Sequence, residues 1–152
     1  MCIRDRPVID PETINQIGSD YKKYRGTYHI YNLYKAISNE DELDNESIIK
    51  IVANESDELM YMSRLQVPFN KSSEKPSYKK QVCVYGFTKH ALSLFSSHKK
   101  TVNEKFEDIE ILRFLDLGYK VKMQETDFNS IAVDTPEDVI KVENFLNQKN
   151  HK

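Results

Sequence analysis

The chain has 152 residues and a net charge of −2, with 39% hydrophobic and 30% charged residues. This composition is typical of one folded globular domain. The weak negative charge argues against a protein that binds the phosphates of nucleic acid through a basic surface. No apolar run approaches the roughly 20 residues that span a bilayer. The sequence therefore predicts no membrane segment, and we expect a cytoplasmic protein.

The N-terminal part contains a helix signal and then a strand. Residues 1–6 fit neither pattern, and we expect them to be an artefactual leader. Residues 10–12 supply an aspartate N-cap, a first-turn proline and an early acid, which predict a helix to about Lys23. Residues 27–36 are rich in β-formers and predict a strand.

The middle of the chain predicts a hairpin and a long loop. Residues 48–53 and 59–63 are strand-like, and the turn-forming residues 54–57 separate them. Residues 65–81 contain prolines, serines and lysines without apolar periodicity, which indicates a loop inside the domain.

Strands and helices alternate in the C-terminal half. Residues 82–87 predict a strand, and Thr88 is the expected N-cap of the helix that follows. A capping-box pattern opens a helix predicted over residues 102–117, which Gly118 ends before a strand at 119–124. This alternation predicts an α/β fold built as a layered sheet.

Asp134 is the first candidate for chemistry. It lies between a predicted short strand, residues 131–133, and a helix that Thr135 and Pro136 open. Ligand sites gather at the carboxyl ends of strands in α/β sheets, and a carboxylate there can hold Mg²⁺ against nucleotide phosphates. The alternative is an acid that the helix dipole stabilises by about 0.3–1 kcal/mol.

Two acids of the helix predicted over residues 102–117 form a second candidate. Glu107 and Glu110 are three residues apart, so they would lie on neighbouring turns and could accept hydrogen bonds from sugar hydroxyls. The alternative is an ordinary solvated helix face.

Three further candidates lie at strand ends. Tyr85 and Gly86 end a predicted strand, where a glycine lets a ligand or another part of the chain approach closely; a tight strand exit is the alternative. Arg64 follows another strand and could bind a phosphate or carboxylate through two hydrogen bonds, or form a surface ion pair.

Six segments occur together in an order that resembles the cytidylyltransferases that make CMP-Kdo, where Kdo is 3-deoxy-manno-octulosonate. No segment is specific alone, but the ordered set extends from Pro7 to about Leu146. The segments are residues 7–14, 49–52, 61–68, 84–87, 104–113 and 133–138.

The resemblance implies a layered mixed sheet of the nucleotide-diphospho-sugar transferase type and a Mg²⁺-dependent homodimer. The implied reaction transfers CMP from CTP to the anomeric hydroxyl of an eight-carbon acidic sugar and releases pyrophosphate, for lipopolysaccharide biosynthesis. Asp134 matches a catalytic metal-binding aspartate. The residues in segments that approach the sugar or shape the site and dimer contact are Arg64, Tyr85, Gly86, Glu107 and Glu110.

The sequence also departs from the family pattern. Residues 7–148 resemble only its C-terminal part, residues 149–152 form a tail, and the glycine-rich nucleotide loop has no counterpart. We therefore expect the nucleotide-binding half to be missing and this chain to be inactive alone. Gln81 and Ile111 replace the usual histidine and glutamine of the sugar site, which leaves the sugar open. The alternatives are a nucleotidyltransferase for another sugar acid and a non-catalytic sugar-binding or dimerisation module.

Overall fold

The computed structural model describes residues 9–74, 76–128, 133 and 136–150, and within them a five-stranded mixed sheet organises the chain. The spatial order is β3-β2-β4-β1-β5; β1 and β5 are parallel, and the other neighbouring pairs are antiparallel. The strands are β1 (Ile30–Ala36), β2 (Lys50–Ala53), β3 (Leu59–Ser63), β4 (Lys79–Phe87) and β5 (Val121–Glu125).

Helices precede, separate and follow these strands. Asp10 begins the first helix as predicted, because its carboxylate accepts the Glu12 backbone N–H at 2.9 Å. No helix in the part of the chain that the structure describes is both long and apolar enough to cross a membrane. The helices are α1 (Pro11–Lys23), α2 (Lys89–Ser97), α3 (Val102–Glu107), α4 (Leu112–Asp116) and α5 (Pro136–Asn150), with a short 3₁₀ turn at Glu40–Glu42.

The sheet separates two hydrophobic clusters. Tyr31 and Leu33 of β1 pack with Ile17 of α1, whereas Ile30 and Tyr34 pack into the cluster that holds side chains of α2 and α4. Alternate residues of a strand point to opposite faces, so β1 contributes to both clusters. This arrangement of layers confirms the predicted α/β class.

Two predicted boundaries are wrong. The helix predicted over residues 102–117 is interrupted at Asp108, which has a left-handed conformation with φ 52°, so α3 and α4 are separate helices. The loop predicted over residues 65–81 ends earlier, because Lys79 and Lys80 pair with both β1 and β2 and extend β4. A pairing of this kind depends on distant strands and leaves no local pattern.

Candidate functional site

Arg64 lies just beyond the end of β3, where its guanidinium binds three main-chain carbonyls in two segments of the chain. Its Nε donates to the Glu107 carbonyl at 2.6 Å, Nη1 to the Glu46 carbonyl at 3.0 Å and Nη2 to the Asp108 carbonyl at 3.2 Å. The guanidinium has five N–H donors in a rigid plane, so it can hold several carbonyls at once. Arg64 thereby ties the end of β3 to the end of α3.

The Glu107 carboxylate makes a second connection between the end of α3 and the end of β3. Its Oε1 accepts the Ser63 hydroxyl at 2.8 Å and its Oε2 accepts the Arg64 backbone N–H at 2.9 Å. Hydrogen bonds to an ionised acceptor are stronger than neutral ones. In this structure both carboxylate oxygens of Glu107 bind the protein itself, and whether the side chain also meets a sugar stays a prediction.

Lys50 is a buried cation that the sequence analysis missed. Its side chain in β2 has no solvent exposure, and its ammonium donates to the Asn45 carbonyl at 2.8 Å and the Arg64 carbonyl at 2.6 Å. Burial lowers the pKa of this ammonium. The available signal was a lysine between Ile49 and Ile51 in a strand that is otherwise apolar. Lys50 therefore helps to fix the main chain at Arg64 through the bond to its carbonyl.

Glu110 is separated from Glu107 by the break in the helix. It is exposed, and its backbone carbonyl accepts the Arg113 N–H at 3.2 Å. The premise that Glu107 and Glu110 lie on neighbouring turns of one helix is wrong, because α3 ends at Glu107 and Asp108 turns the chain. A sugar contact of Glu110 remains a prediction.

A buried polar network lies in the middle of the sheet. Asn32 of β1 is 1% exposed and Gln81 of β4 is 8% exposed. The Gln81 amide nitrogen lies 3.1 Å from Asn32 Oδ1 and 2.8 Å from the Tyr85 hydroxyl oxygen. Tyr85 is 38% exposed, so the network runs from the core to the surface. Sequence analysis identified Tyr85 and noted Gln81, but it missed Asn32, a lone amide inside an apolar strand.

Gly86 is required for the packing of α1. A Cβ atom at this position would lie 2.5 Å from Ile17 Cγ2 and 3.4 Å from Tyr31 Cβ. The close approach that a glycine permits is used here by a side chain of α1. A further role of Gly86 beside a ligand stays a prediction.

Asp134 lies outside the residues that the structure describes, so its predicted catalytic and metal-binding role is untested. Among the described residues, no group of three or more His, Cys, Asp or Glu side chains could hold a metal ion. The magnesium prediction therefore rests on the sequence resemblance.

Comparison with known proteins identifies the family. Residues 1–126 match the family model described as cytidylyltransferase. The chain belongs to the cytidylyltransferase family. This confirms the resemblance inferred from the six sequence segments.

The most informative relatives are bacterial enzymes. The 8-amino-3,8-dideoxy-manno-octulosonate cytidylyltransferases of Shewanella baltica and Shewanella oneidensis are each 34% identical over 142 residues, which is 93% of this chain and 58% of the relative. The chain thus spans little more than half the length of these curated relatives.

A solved structure gives the same result for the fold. The structure of CMP:2-keto-3-deoxy-manno-octonic acid synthetase complexed with CTP superposes with a TM-score of 0.87 at 26% identity. The match covers 95% of this chain and 59% of that chain. It confirms the predicted nucleotidyltransferase type of sheet.

Proposed function

We propose that this chain is part of a cytidylyltransferase that transfers CMP from CTP to an eight-carbon acidic sugar in lipopolysaccharide biosynthesis. The anomeric hydroxyl oxygen of the sugar bonds to the α-phosphorus of CTP, the bond to the β-phosphate bridge breaks, and pyrophosphate leaves as the hydroxyl proton is lost. The single observation that carries this proposal is the superposition, over 95% of the chain, on a synthetase solved with CTP.

The described residues support a sugar-facing role for this part of the enzyme. The network from Asn32 through Gln81 ends at Tyr85, a residue that is 38% exposed and whose hydroxyl group is of a kind suited to sugar hydroxyls and carboxylates. The four glycines at positions 18, 26, 86 and 118 are isolated, so the chain offers no glycine-rich loop for a triphosphate. We assign the nucleotide phosphates to a part of the enzyme beyond these residues.

The proposed substrate class is the 3-deoxy-octulosonates. The Shewanella relatives are named for the 8-amino-3,8-dideoxy sugar, and the solved synthetase is named for the keto-deoxy-octonic acid. Both compounds are eight-carbon keto acids deoxygenated at C3, and they differ at C8. Recognition of the carboxylate end would serve both, so the C8 substituent is the choice that an assay has to decide.

The remaining elements of the proposal come from the sequence. Asp134 is the proposed magnesium ligand, and the ion would neutralise charge on the CTP phosphates. A homodimer and a cytoplasmic location complete the proposal.

The test is a chimera in which this chain replaces the matched region of the Shewanella baltica relative. Pyrophosphate release would be measured with CTP and Mg²⁺, using Kdo, its 8-amino analogue and no sugar in parallel. We expect sugar-dependent release with one or both acids and none from the 152-residue chain alone. The relative's own enzyme is the positive control. A folded chimera that releases pyrophosphate with neither acid would refute the proposed function.

A further inference from the structure

The two outermost strands of the sheet meet at one end. In the strand order β3-β2-β4-β1-β5, β3 and β5 lie on opposite sides of the sheet. The turn that precedes β3 nevertheless reaches β5, where Glu58 forms an antiparallel bridge with Lys122. The Met123 N–H donates to the Asp57 carbonyl at 2.8 Å. The turn between β2 and β3, residues 54–58, therefore covers the outer edge of β5 at this point.

This turn has a defined conformation that its own residues stabilise. Asn54 Oδ1 accepts the backbone N–H groups of Ser56 and Glu58, both at 2.9 Å, and the Asn54 carbonyl accepts the Asp57 N–H at 3.0 Å. Asp57 has a φ of 53°, in the left-handed region that glycine adopts at the lowest cost. Glycine would suit this backbone better, so we expect the aspartate side chain to have a function of its own.

The Asp57 carboxylate attaches the turn to the sheet. Its Oδ1 accepts the Tyr34 hydroxyl of β1 at 3.2 Å, and its Oδ2 lies 3.7 Å from Lys122 Nζ of β5. The Lys122 side chain is only 8% exposed, and its ammonium also donates to the Ser56 carbonyl at 2.7 Å. A buried charge is costly unless it is paired and hydrogen-bonded. The turn thus supplies an acceptor and a countercharge for a nearly buried ammonium.

An uncovered edge at β5 would be a template for another strand. Val121 and Met123 of this strand are completely buried, and residues 121–125 contain no proline that would interrupt strand pairing. Proteins protect such edges by covering them with a loop or by placing a charged residue that points inward. Both kinds of protection meet here, because the turn covers the edge and the inward-pointing Lys122 binds the turn.

We propose that residues 54–58 form a strap that closes the sheet over the outer edge of β5 and prevents this edge from pairing with a strand of a second copy of the chain. Asp57 keeps the strap in place through its contacts with Tyr34 and Lys122. The inference goes beyond the proposed function, because it depends neither on nucleotidyl transfer nor on the identity of the sugar.

Amide hydrogen exchange of the ¹⁵N-labelled chain, measured by NMR in dilute solution, tests whether Asp57 keeps the strap closed. Asp57→Gly removes the carboxylate and leaves a residue that favours the observed φ. We expect the Met123 N–H to exchange at least about tenfold faster in this variant, because two contacts of the strap are lost. The reference is the Gln81 N–H, which donates to the Ile49 carbonyl at 2.8 Å away from β5. Its exchange should change by no more than about twofold, since only the strap opens.

Glu55→Gln is the matched control, because it removes one negative charge from an exposed side chain of the same turn. It should leave the exchange of both amides unchanged. If Asp57→Gly does not fold, Tyr34→Phe removes only the hydroxyl that Asp57 accepts, and it should still accelerate exchange at Met123 more than at Gln81. Unchanged exchange at Met123 in the folded variant, or equal acceleration at Met123 and Gln81, would overturn the proposal.

A second measurement tests whether the strap prevents strand pairing. In sedimentation velocity at increasing protein concentration, Asp57→Gly should associate more strongly than the original chain, whereas Glu55→Gln should behave like the original. Exchange at Met123 should slow again in concentrated Asp57→Gly, because a strand of a second copy then covers this N–H. A strap that opens without added association, or association that leaves the Met123 exchange fast, would contradict the protective role.

Discussion

Two ion pairs in different parts of the molecule show how burial decides what a charge contributes. Arg113 and Glu104, on α4 and α3, have side chains only 8% and 1% exposed, and Arg113 Nε donates to Glu104 Oε2 at 2.7 Å. Lys120 and Glu58 lie beside the β5 edge, where the Lys120 side chain is 67% exposed and its Nζ lies 2.9 Å from Glu58 Oε1.

The buried pair joins several elements, whereas at the second pair Glu58 accepts hydrogen bonds from the side chains of Lys120, Tyr28 and Asn54. Arg113 Nη1 also donates to the carbonyls of Phe95 and His98 at 2.8 and 3.0 Å, and the guanidinium lies 3.7 Å from the centre of the Phe95 ring. Burial alone would raise the pKa of Glu104, but bonds from Arg113 and the Thr101 N–H hold it below its ordinary value. Removing one partner of a buried ion pair leaves an uncompensated charge, which destabilises the folded protein.

The largest effect should follow from Arg113→Met. Glu104 would keep a buried carboxylate without its cation, which typically costs about 3–5 kcal/mol of unfolding free energy. Urea unfolding followed by circular dichroism measures this loss. The double variant Arg113→Met/Glu104→Met should recover most of it, because no uncompensated charge remains. A loss below about 1 kcal/mol for the single variant would show that the pair is not enclosed as described.

Glu107→Gln should have a smaller effect on stability than Arg113→Met. Glu107 lies in α3 three residues after Glu104, so it tests a second carboxylate of the same helix. The amide keeps one good acceptor for Ser63 or Arg64 but loses the charge, so about 1–2 kcal/mol of stability should disappear. Glu110→Gln is the matched control at an exposed position, where the change should stay within about 0.5 kcal/mol. Equal losses of stability in the two variants would contradict a specific role of Glu107 in connecting α3 to the end of β3.

Unfolding measured at decreasing pH should reveal the contribution of Glu58 to stability. Hydrogen bonds from Lys120 and then Tyr28 lower the pKa of Glu58 to about 2, from an ordinary value of 4.5. Since the folded protein binds this proton less tightly, the stabilisation is complete above pH 4.5 and is lost as the pH falls toward 2. Glu58→Gln should therefore reduce the fall in unfolding midpoint over this window. An unchanged acid profile in Glu58→Gln would assign the acid sensitivity to other carboxylates.

Lys120→Ala should have the smallest effect. The ammonium is largely solvated, and exposed ion pairs contribute little to stability. We expect the thermal midpoint to move by no more than about 2 °C, as measured by calorimetry at neutral pH and moderate salt. A shift as large as that of Arg113→Met would remove the distinction between the two pairs.

Local signals predicted several elements because the contacts behind them lie within a few residues. Asp10 caps the Glu12 N–H two residues away, and Glu104 accepts the Thr101 N–H three residues away. The prediction that Glu107 and Glu110 lie on neighbouring turns of one helix was wrong, because the chain leaves the helical conformation between them. Asp108 takes a left-handed conformation that helix periodicity does not reveal.

The sequence by itself determined the family, the α/β class and the starts of α1, α2 and α3, since these follow from ordered segments, alternation of patterns and short-range capping. Only the tertiary structure decided which polar groups far apart in the sequence meet. Gln81 binds Asn32 across 49 residues of chain, and Ser63 binds Glu107 across 44. The partner of a buried polar side chain is set by strand register and helix packing, which bring distant residues together without leaving a local pattern.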